Sequence, residues 1–299
     1  MNNFINKFKD DMFNNGIEPP NFIIADSQIH RFHVTGDRSS TKNGWYIIFS
    51  NPIPCGAYGS WKHGVTFKYF GKHQTAMNNV EKRLCFKQIN DAKNKLNAAK
   101  SEEYNKTSLL AAKYWYNSKP ADIIFPYILR KQIDPFIARQ FKNRLVLPII
   151  DHFGKIWSLQ YIYESGNKQF LAGGNIKGKF IPLHGNFINC DKVIIAEGFS
   201  TTATIAMLYP RAFCISALNA SNLLPVAKCI KEFQPNLNIE IFSDDDRHLP
   251  ENIGLIKATE AANAVGAIVY KPKWPKGSPE YLTDFNDLIC WCAEHGVYI

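Results

Sequence analysis

The chain contains the stretch Lys192-Val193-Ile194-Ile195-Ala196-Glu197-Gly198, a short run of branched apolar residues that ends in a carboxylate and a glycine. An uninterrupted apolar run of this length is typical of a strand buried on both faces of a parallel sheet. Around it, helical and strand patterns alternate: helices at 200–208, 222–234 and 252–265, and strands at 212–216, 238–242 and 267–270. This alternation predicts an α/β domain with an open, mostly parallel sheet and helices on both faces.

Acidic side chains follow two of these predicted strands. Glu197 follows the first strand, and Asp244-Asp245-Asp246 follow the third. Because ligand sites in open α/β sheets lie beyond the carboxyl ends of the strands, we expect these carboxylates to meet at one edge. Mg²⁺ takes one or two carboxylates together with phosphate oxygens and water. The alternative is a solvated turn that caps the next helix, and Glu197 at the matching strand end disfavours it.

The pattern of Glu-Gly after one strand and Asp-x-Asp after a later strand resembles the Toprim domain of bacterial primases, topoisomerases and some nucleases. Residues 197–203 (EGFSTTA) and 217–227 (ALNASNLLPVA) are similar to segments of the primases of conjugative plasmids and phage satellites. The resemblance extends upstream through residues 144–151 and 168–171, which are similar to the N-terminal subdomain of the primase catalytic core. It departs from the family in two respects: Ser200 and Thr202 stand where the plasmid proteins usually have Ala, and we find no helicase module and no Cys/His zinc-binding module before the core.

The resemblance implies a set of site residues. Glu197, Asp244 and Asp246 match the acidic positions of the family and are expected to be catalytic and to bind Mg²⁺ (or Mn²⁺). Asp284 is expected either to add a carboxylate to this site or only to cap the last helix. Lys168, Arg144 and Arg139 are expected to bind the triphosphate or template phosphates.

The N-terminal part of the chain combines aromatic residues with lysines on predicted strands. Bases stack on aromatic rings and lysines contact phosphates, so this composition suits single-stranded DNA. The candidate residues are Arg31, Trp61, Lys62 and Lys68. The alternative is that most of the rings form the core of this region.

Charge is divided unevenly along the 299 residues. The net charge is +9, but residues 1–189 hold 26 Lys and Arg against 13 Asp and Glu, while residues 190–299 hold 9 against 13. A basic front part and an acidic back part favour a polyanion-binding surface beside a cation-binding site. The alternative is that surface lysines only keep the protein in solution.

Composition excludes several classes of protein. The chain is 45% hydrophobic and 20% charged, as in globular proteins. No apolar run approaches the roughly 18 residues of a membrane span, so we expect no membrane association. Seven cysteines without a CxxC pair favour free thiols in a bacterial cytoplasm.

The patterns predict three domains. These are a basic, β-rich N-terminal region with long helices (1–120), an α+β primase-core subdomain (121–189) and a Toprim catalytic domain with a Rossmann-like sheet (190–299). The predicted function is a DNA primase that makes short RNA primers from ribonucleoside triphosphates on single-stranded DNA, with a replicative helicase supplied by another protein. The alternatives are a Toprim-type nuclease and a non-catalytic single-stranded-DNA-binding replication accessory.

Overall fold

The structure is a computed structural model that describes residues 3–37, 41–51, 53–61, 63–72 and 76–298. In this part of the chain, helices and strands form a mixed α/β fold with three sheets, which confirms the predicted α/β class. The chain divides into two compact units, residues 1–102 and 103–299. No helix in the described ranges is long and apolar enough to cross a membrane.

The first unit is built on an antiparallel sheet of order β1-β2-β3-β4. Its elements are α1 (Asn3–Asn14), β1 (His30–Phe32), β2 (Gly44–Phe49), β3 (Cys55–Ser60), β4 (Val65–Phe70) and the start of α2 (Asn79–Tyr116). Phe8 and Met12 of α1 pack with Tyr46 and Tyr58 on one face of the sheet. Cys85, Ile89 and Ala92 of α2 pack on the opposite side with Trp45, Ile47 and Ala57. The aromatic strand residues therefore mainly form the core of this unit.

The second unit begins with the last part of α2 and contains an antiparallel sheet of order β5-β6-β7-β8-β9. Its elements are β5 (Lys119–Pro120), α3 (Pro126–Lys131), β6 (Arg139–Phe141), β7 (Arg144–Ile150), β8 (Ile156–Tyr163) and β9 (Lys168–Phe170). The apolar runs at 144–150 and 156–163 around Asp151 predict a strand–turn–strand, and the structure confirms it as β7 and β8, with Asp151 accepting the backbone N–H groups of Phe153 and Lys155 in the turn. The sequence of residues 121–142 predicts short helices, and this is wrong at 139–141, because that segment pairs with β7 as a strand.

The other sheet of the second unit has the order β10-β12-β11-β13-β14. Its elements are β10 (Ile181–His184), β11 (Val193–Ala196), α4 (Phe199–Leu208), β12 (Phe213–Ser216), α5 (Ala220–Phe233), β13 (Ile239–Phe242), α6 (Ile253–Val265), β14 (Ile268–Tyr270) and α7 (Phe285–His295). Strands β11 to β14 are parallel and β10 is antiparallel, which confirms the predicted mostly parallel sheet. Strand β10 belongs to this sheet although it precedes residue 189. The predicted domain boundaries at residues 120 and 189 stay predictions.

Both faces of this sheet are covered, which explains its uninterrupted apolar strands. Val193 and Ile195 face α5 and α6, whereas Ile194 and Ala196 face α4. Phe199 and Ala203 of α4 also pack with the apolar residues of β7 and β10. The two sheets of the second unit thus share a continuous hydrophobic core through α4.

Asn222 of α5 ties the segment before β10 to the parallel sheet. This side chain is buried, and its amide nitrogen donates to the carbonyl oxygens of Ile176, Lys179 and Ala217 at 3.2, 2.9 and 2.9 Å. Its Oδ1 accepts the backbone N–H of Gly178 at 2.8 Å. One amide therefore contacts four backbone groups outside the helices and strands, two of them in buried hydrogen bonds.

We expect Asn222→Ala to lower the free energy of unfolding by at least about 2 kcal/mol, since each buried polar group left unpaired costs about 1–3 kcal/mol. Urea unfolding followed by tryptophan fluorescence measures the change. Asn263→Ala removes an exposed asparagine from α6 and should stay within about 0.5 kcal/mol of the wild type. Equal stability of the two variants would show that the Asn222 network does not stabilise the fold.

Candidate active site

Glu197 directly follows β11, and Gly198 begins α4 as its N-cap. The carboxylate of Glu197 accepts a hydrogen bond from the backbone N–H of Ala220, at the start of α5. Burial raises the pKa of Glu197, the neighbouring charges of Asp246 and Asp284 raise it further, and the Lys168 ammonium opposes the shift. The parallel register therefore places Glu197 at the carboxyl edge of the sheet, near the charges of Asp246, Asp284 and Lys168.

Asp244 lies at the same edge, two residues after β13. Its Oδ1 is buried and has no hydrogen-bond partner among the described residues. Burial is the largest cause that raises the pKa of Asp244 to about 8, followed by the charges of Glu197, Asp284 and Asp246. An aspartate in this environment holds its negative charge at neutral pH only if a cation compensates it.

Asp246 is held by the first turn of α6. Its Oδ2 accepts the backbone N–H of Gly254 at 3.1 Å, and its own N–H donates to Asn252 Oδ1 at 3.1 Å. A Cβ atom at Gly254 would lie 2.9 Å from the Asp244 carbonyl oxygen, so only glycine allows this close approach. The start of α6 thus fixes the loop that carries both aspartates.

Asp245, between them, has a structural role. It is buried and accepts hydrogen bonds from Asn252 Nδ2 at 2.7 Å and Trp274 Nε1 at 2.9 Å. Its backbone N–H donates to the Thr283 carbonyl at 2.7 Å. Asp245 therefore anchors the loop that leads to α7, while Asp244 and Asp246 lie at the carboxyl edge of the sheet.

Asp284 is the N-cap of α7, and its expected contribution of a carboxylate to the site stays a prediction. Its Oδ1 caps the helix by accepting the Asp287 N–H at 2.8 Å, and its Oδ2 accepts the Thr201 hydroxyl at 3.0 Å. Thr201 lies in the first turn of α4, so this bond holds Asp284 beside the Glu197 loop. Burial raises the pKa of Asp284, and the charge of Asp287 adds to the shift.

Lys168 of β9 faces these carboxylates. Its Nζ lies 3.5 Å from the position that a Cβ atom of Gly198 would take, at the start of α4. Its charge lowers the pKa values of Glu197 and Asp244. The structure thus brings Lys168 together with Glu197, Asp244, Asp246 and Asp284, and we call these five residues the acidic edge with its lysine.

The donor set of the acidic edge suits a hard cation, because all four acidic side chains offer oxygen and Asp244 Oδ1 has no other partner. Among the described residues, however, no group of three or more Asp, Glu, His or Cys side chains forms a ready-made metal site. The arrangement therefore fits an ion that takes few protein ligands and completes its shell with substrate phosphates and water, as Mg²⁺ commonly does.

The structure places the two predicted arginines elsewhere. The Arg139 guanidinium donates to the carbonyl oxygens of Trp115, Tyr116 and Ser118, so it caps the end of α2. The Arg144 guanidinium lies 4.1 Å from the ring centroid of Tyr161 and lines a cavity of about 330 Å³. By the alternation of the strands, this is the sheet face opposite to that of Lys168.

In the first unit, two of the predicted DNA-contacting residues lie together. The Arg31 guanidinium lies 4.7 Å from the ring centroid of Trp61, whose indole stacks on Trp45 at 6.1 Å. Lys68 contacts a different ring, with its Nζ 4.9 Å from the ring centroid of Phe86. Lys62 falls outside the described residues.

Two curated proteins of Escherichia coli named DNA primase TraC are similar to this chain. One is 29% identical over 271 residues, which is 86% of this chain and 25% of the relative. The other is 28% identical over 274 residues, which is 87% of this chain and 18% of the relative. The chain therefore spans about a quarter or less of the length of these relatives. The resemblance to DNA primases is confirmed.

Solved structures with partial likeness include a DnaG primase catalytic domain bound to ssDNA, at 10% identity and a TM-score of 0.45, covering 66% of this chain and 78% of that chain. Another is the primase fragment of the bacteriophage T7 primase-helicase, at 19% identity and a TM-score of 0.38, covering 53% of this chain and 62% of that chain. TM-scores at this level do not establish a shared fold. No protein-family model matches the chain.

Several residues that support the acidic edge carry weak signals in the sequence. Lys131 of α3 pairs with Asp287 at 3.0 Å, and the Lys131 carbonyl accepts Asn286 Nδ2 at 2.6 Å, so α3 holds the start of α7. Gln160 of β8 is buried, and its Oε1 has no partner within the described residues. Separations of more than 150 residues along the chain conceal the pairing of Lys131 with α7, and a single polar residue within an apolar strand gives no signal for Gln160.

We expect Asp244→Asn to raise the melting temperature of the metal-free protein at pH 8 by a few degrees, equivalent to at least about 1 kcal/mol. Folding raises the pKa of Asp244 from 3.8 to about 8, so the wild type loses stability as pH rises between these values. The difference between variant and wild type should therefore grow from pH 4 to pH 8 and then level off.

Differential scanning calorimetry over this pH range measures the difference, and Asp134→Asn, at an exposed aspartate, is the control. Added Mg²⁺ should raise the melting temperature of the wild type and of the control much more than that of Asp244→Asn. A metal-free Asp244→Asn protein less stable than the wild type at pH 8 would contradict the charge repulsion described above.

Proposed function

We propose that this chain is the catalytic part of a DNA primase of a mobile genetic element, which makes short RNA primers on single-stranded DNA by metal-dependent nucleotidyl transfer. The observation that carries the proposal is the acidic edge with its lysine, where Asp244 has a buried oxygen without a hydrogen-bond partner among the described residues. The similarity to the two TraC primases supports it, since it includes most of the chain.

We further assign residues 190–299 to the Toprim class. Glu197 follows β11 and the two aspartates follow β13, and these strands are adjacent and parallel. Adjacent parallel strands end at the same edge of the sheet. The two motifs therefore lie close together, although 46 residues stand between Glu197 and Asp244 in the sequence. The middle aspartate has a structural role instead, which accounts for an Asp-x-Asp pattern rather than three equivalent carboxylates.

One or two of the carboxylates of Glu197, Asp244, Asp246 and Asp284 would hold Mg²⁺ or Mn²⁺, Asp244 first, because its Oδ1 has no hydrogen-bond partner among the described residues. Such an ion would neutralise the incoming triphosphate and lower the pKa of the attacking 3′-hydroxyl. The role of the protein is then to hold the carboxylate oxygens in place. Asn252 and the Gly254 N–H fix the loop that carries the aspartates, and Thr201 fixes the start of α7.

Lys168 would bind phosphate oxygens of the nucleotide. Its ammonium lies at the start of α4, where the first backbone N–H groups of the helix also favour negative charge. Positive groups that meet developing charge in this way are commonly worth about 2.7–4 kcal/mol of barrier. Arg144, on the other face of the sheet, is better placed for template phosphates, and Arg139 stabilises the end of α2.

We propose that the first unit binds the single-stranded template through Arg31 and Trp61, with Lys62 and Lys68 as further cations. Arg31 is exposed and lies over the indole, so its charge is presented to solvent beside an aromatic ring. A replicative helicase supplied by another protein remains the proposed partner.

The direct test is incubation of the protein with single-stranded DNA, labelled ribonucleoside triphosphates and Mg²⁺ or Mn²⁺, with products separated on a sequencing gel. A ladder of short RNA products supports the primase. Shortened template would support a Toprim nuclease, and the absence of both would leave a DNA-binding accessory.

We expect Lys168→Gln to lower primer synthesis at least tenfold, about 1.4 kcal/mol, with little change in melting temperature. Glutamine has a similar length but no charge for the phosphates. Synthesis rates measured on the same gel assay test this, with Lys228→Gln on the exposed side of α5 as the control. Wild-type rates in Lys168→Gln, beside an inactive Asp244→Asn, would place the nucleotide path elsewhere.

We expect Arg31→Gln to weaken single-stranded DNA binding and to reduce the slope of log affinity against log salt by about one unit for a phosphate contact. Fluorescence anisotropy at roughly 50–200 mM salt gives both quantities. Arg83→Gln removes the same charge from an exposed position on α2. If both variants change binding equally, net charge rather than the Arg31–Trp61 pair determines affinity.

A further inference from the structure

The cavity of about 330 Å³ beside Arg144 opens on the sheet face opposite to the one that carries the lysine of the acidic edge. Val146 and Tyr161 line it and are buried, whereas Tyr114 and Phe141 line it and are 44% and 45% exposed. Register groups the strand residues, since Phe141 pairs with Arg144 and Val146 pairs with Tyr161, and paired residues share a face. The cavity therefore has a buried floor and an aromatic rim that solvent reaches.

Two polar side chains that line the cavity have unused hydrogen-bonding capacity. The Arg144 guanidinium donates to the Tyr163 hydroxyl at 3.4 Å and has no acidic partner among the residues that the structure describes. The exposed Asn117 side chain makes no hydrogen bond within the described part of the chain. Aromatic walls with a few polar groups are typical of pockets for small organic groups. A planar ring with hydrogen-bonding edges, next to a negative charge, fits this combination.

The exposed ring of Phe141 has two cations beside it. Lys142 Nζ lies 5.6 Å from its ring centroid, and the guanidinium carbon of Arg144 lies 5.9 Å from it. Every internal base of a single strand has a phosphate before it and another after it, whereas a free nucleotide carries its phosphates together. Aromatic rings interleaved with cations suit such a strand, because bases stack on the rings while the cations contact the backbone. The rim of the cavity therefore favours a strand over a free nucleotide.

We propose that this cavity binds one unpaired base of single-stranded DNA, which stacks on Tyr114 and Phe141 while Lys142 and Arg144 contact the phosphates beside it. Asn117 bonds to the edge of the base, since a side-chain amide both donates and accepts. The inference rests on the proposed function, because it takes the strand to be the primase template. It gives the template a base-binding site on the sheet face opposite to that of the proposed triphosphate site.

The test separates contacts to bases from contacts to phosphates. Fluorescence anisotropy at one salt concentration gives the affinities for a single-stranded oligodeoxynucleotide and for an oligomer of equal length made of abasic (tetrahydrofuran) units. Both carry the same phosphates, so the ratio of the two affinities reports the bases. Tyr114→Ala should lower this ratio at least about fivefold, as expected for the loss of one stacked base. Tyr116→Ala, which removes a more exposed ring of α2 outside the cavity, should leave the ratio unchanged.

Photocrosslinking locates the base in the wild-type protein, without a variant. Oligodeoxynucleotides that carry 5-iodo-2′-deoxyuridine at one position each are irradiated with the protein, and mass spectrometry of the peptides identifies the adducts. We expect adducts on Tyr114, Phe141 or Tyr161. An excess of GTP with Mg²⁺ should leave these adducts in place, because the proposed triphosphate site lies on the other face of the sheet.

The outcomes separate this inference from the proposed function. A wild type that makes no primers refutes the primase, and the affinity ratio and the adducts still decide whether the cavity binds a base. An unchanged ratio in Tyr114→Ala, an equal loss in Tyr116→Ala, or adducts that all lie outside the cavity overturns the inference. Loss of the cavity adducts on addition of GTP also overturns it, because the cavity would then bind a free nucleotide.

Discussion

Repulsion among half-buried carboxylates is the constraint on which the second unit depends. Three separate segments contribute these carboxylates, which are Glu197, Asp244, Asp246 and Asp284. Burial is the largest cause that raises the pKa values of Glu197, Asp244 and Asp284. Bringing such groups together costs free energy that the hydrophobic core has to offset. The fold is therefore locally less stable than it could be at the point where its chemistry is proposed, which is common for functional sites.

The surrounding structure limits this repulsion by giving three of the four carboxylates a fixed donor. Glu197 accepts from Ala220, Asp246 from Gly254 and Asp284 from Thr201. Two of these donors are backbone N–H groups in the first turns of α5 and α6, where the helix dipole favours negative charge. Among the described residues, Asp244 Oδ1 has no such donor, and the nearby charge of Lys168 lowers the pKa of this carboxyl.

Local sequence is sufficient to predict those parts of the fold and site that follow from strand order alone. The apolar run before Glu197 and the alternation after it predict a parallel sheet, and the edge rule then predicts that Glu197 and Asp244 meet. The same reasoning fails where pairing is distant. The short segment at 139–141 (Arg-Gln-Phe) has no strand pattern of its own and forms a strand because it pairs with β7. Asp245 and Lys131 carry charges that suggest a surface or a site, and only their partners Trp274 and Asp287 reveal structural roles.

The alternation of side chains along the strands places Arg144 and Lys168 on opposite faces of one sheet, although the sequence predicts the same role for both. Arg144 and Lys168 are both cations at strand ends and both were expected to bind phosphates. Register places Arg144 with Tyr161 and Tyr163 and places Lys168 with Ile162, one residue out of phase. Their charges consequently emerge on opposite faces, one against an aromatic cavity and one against the acidic edge. A polyanion held at Arg144 and a triphosphate held at Lys168 would then approach the sheet from different sides, so the two cations would not compete for the same phosphates.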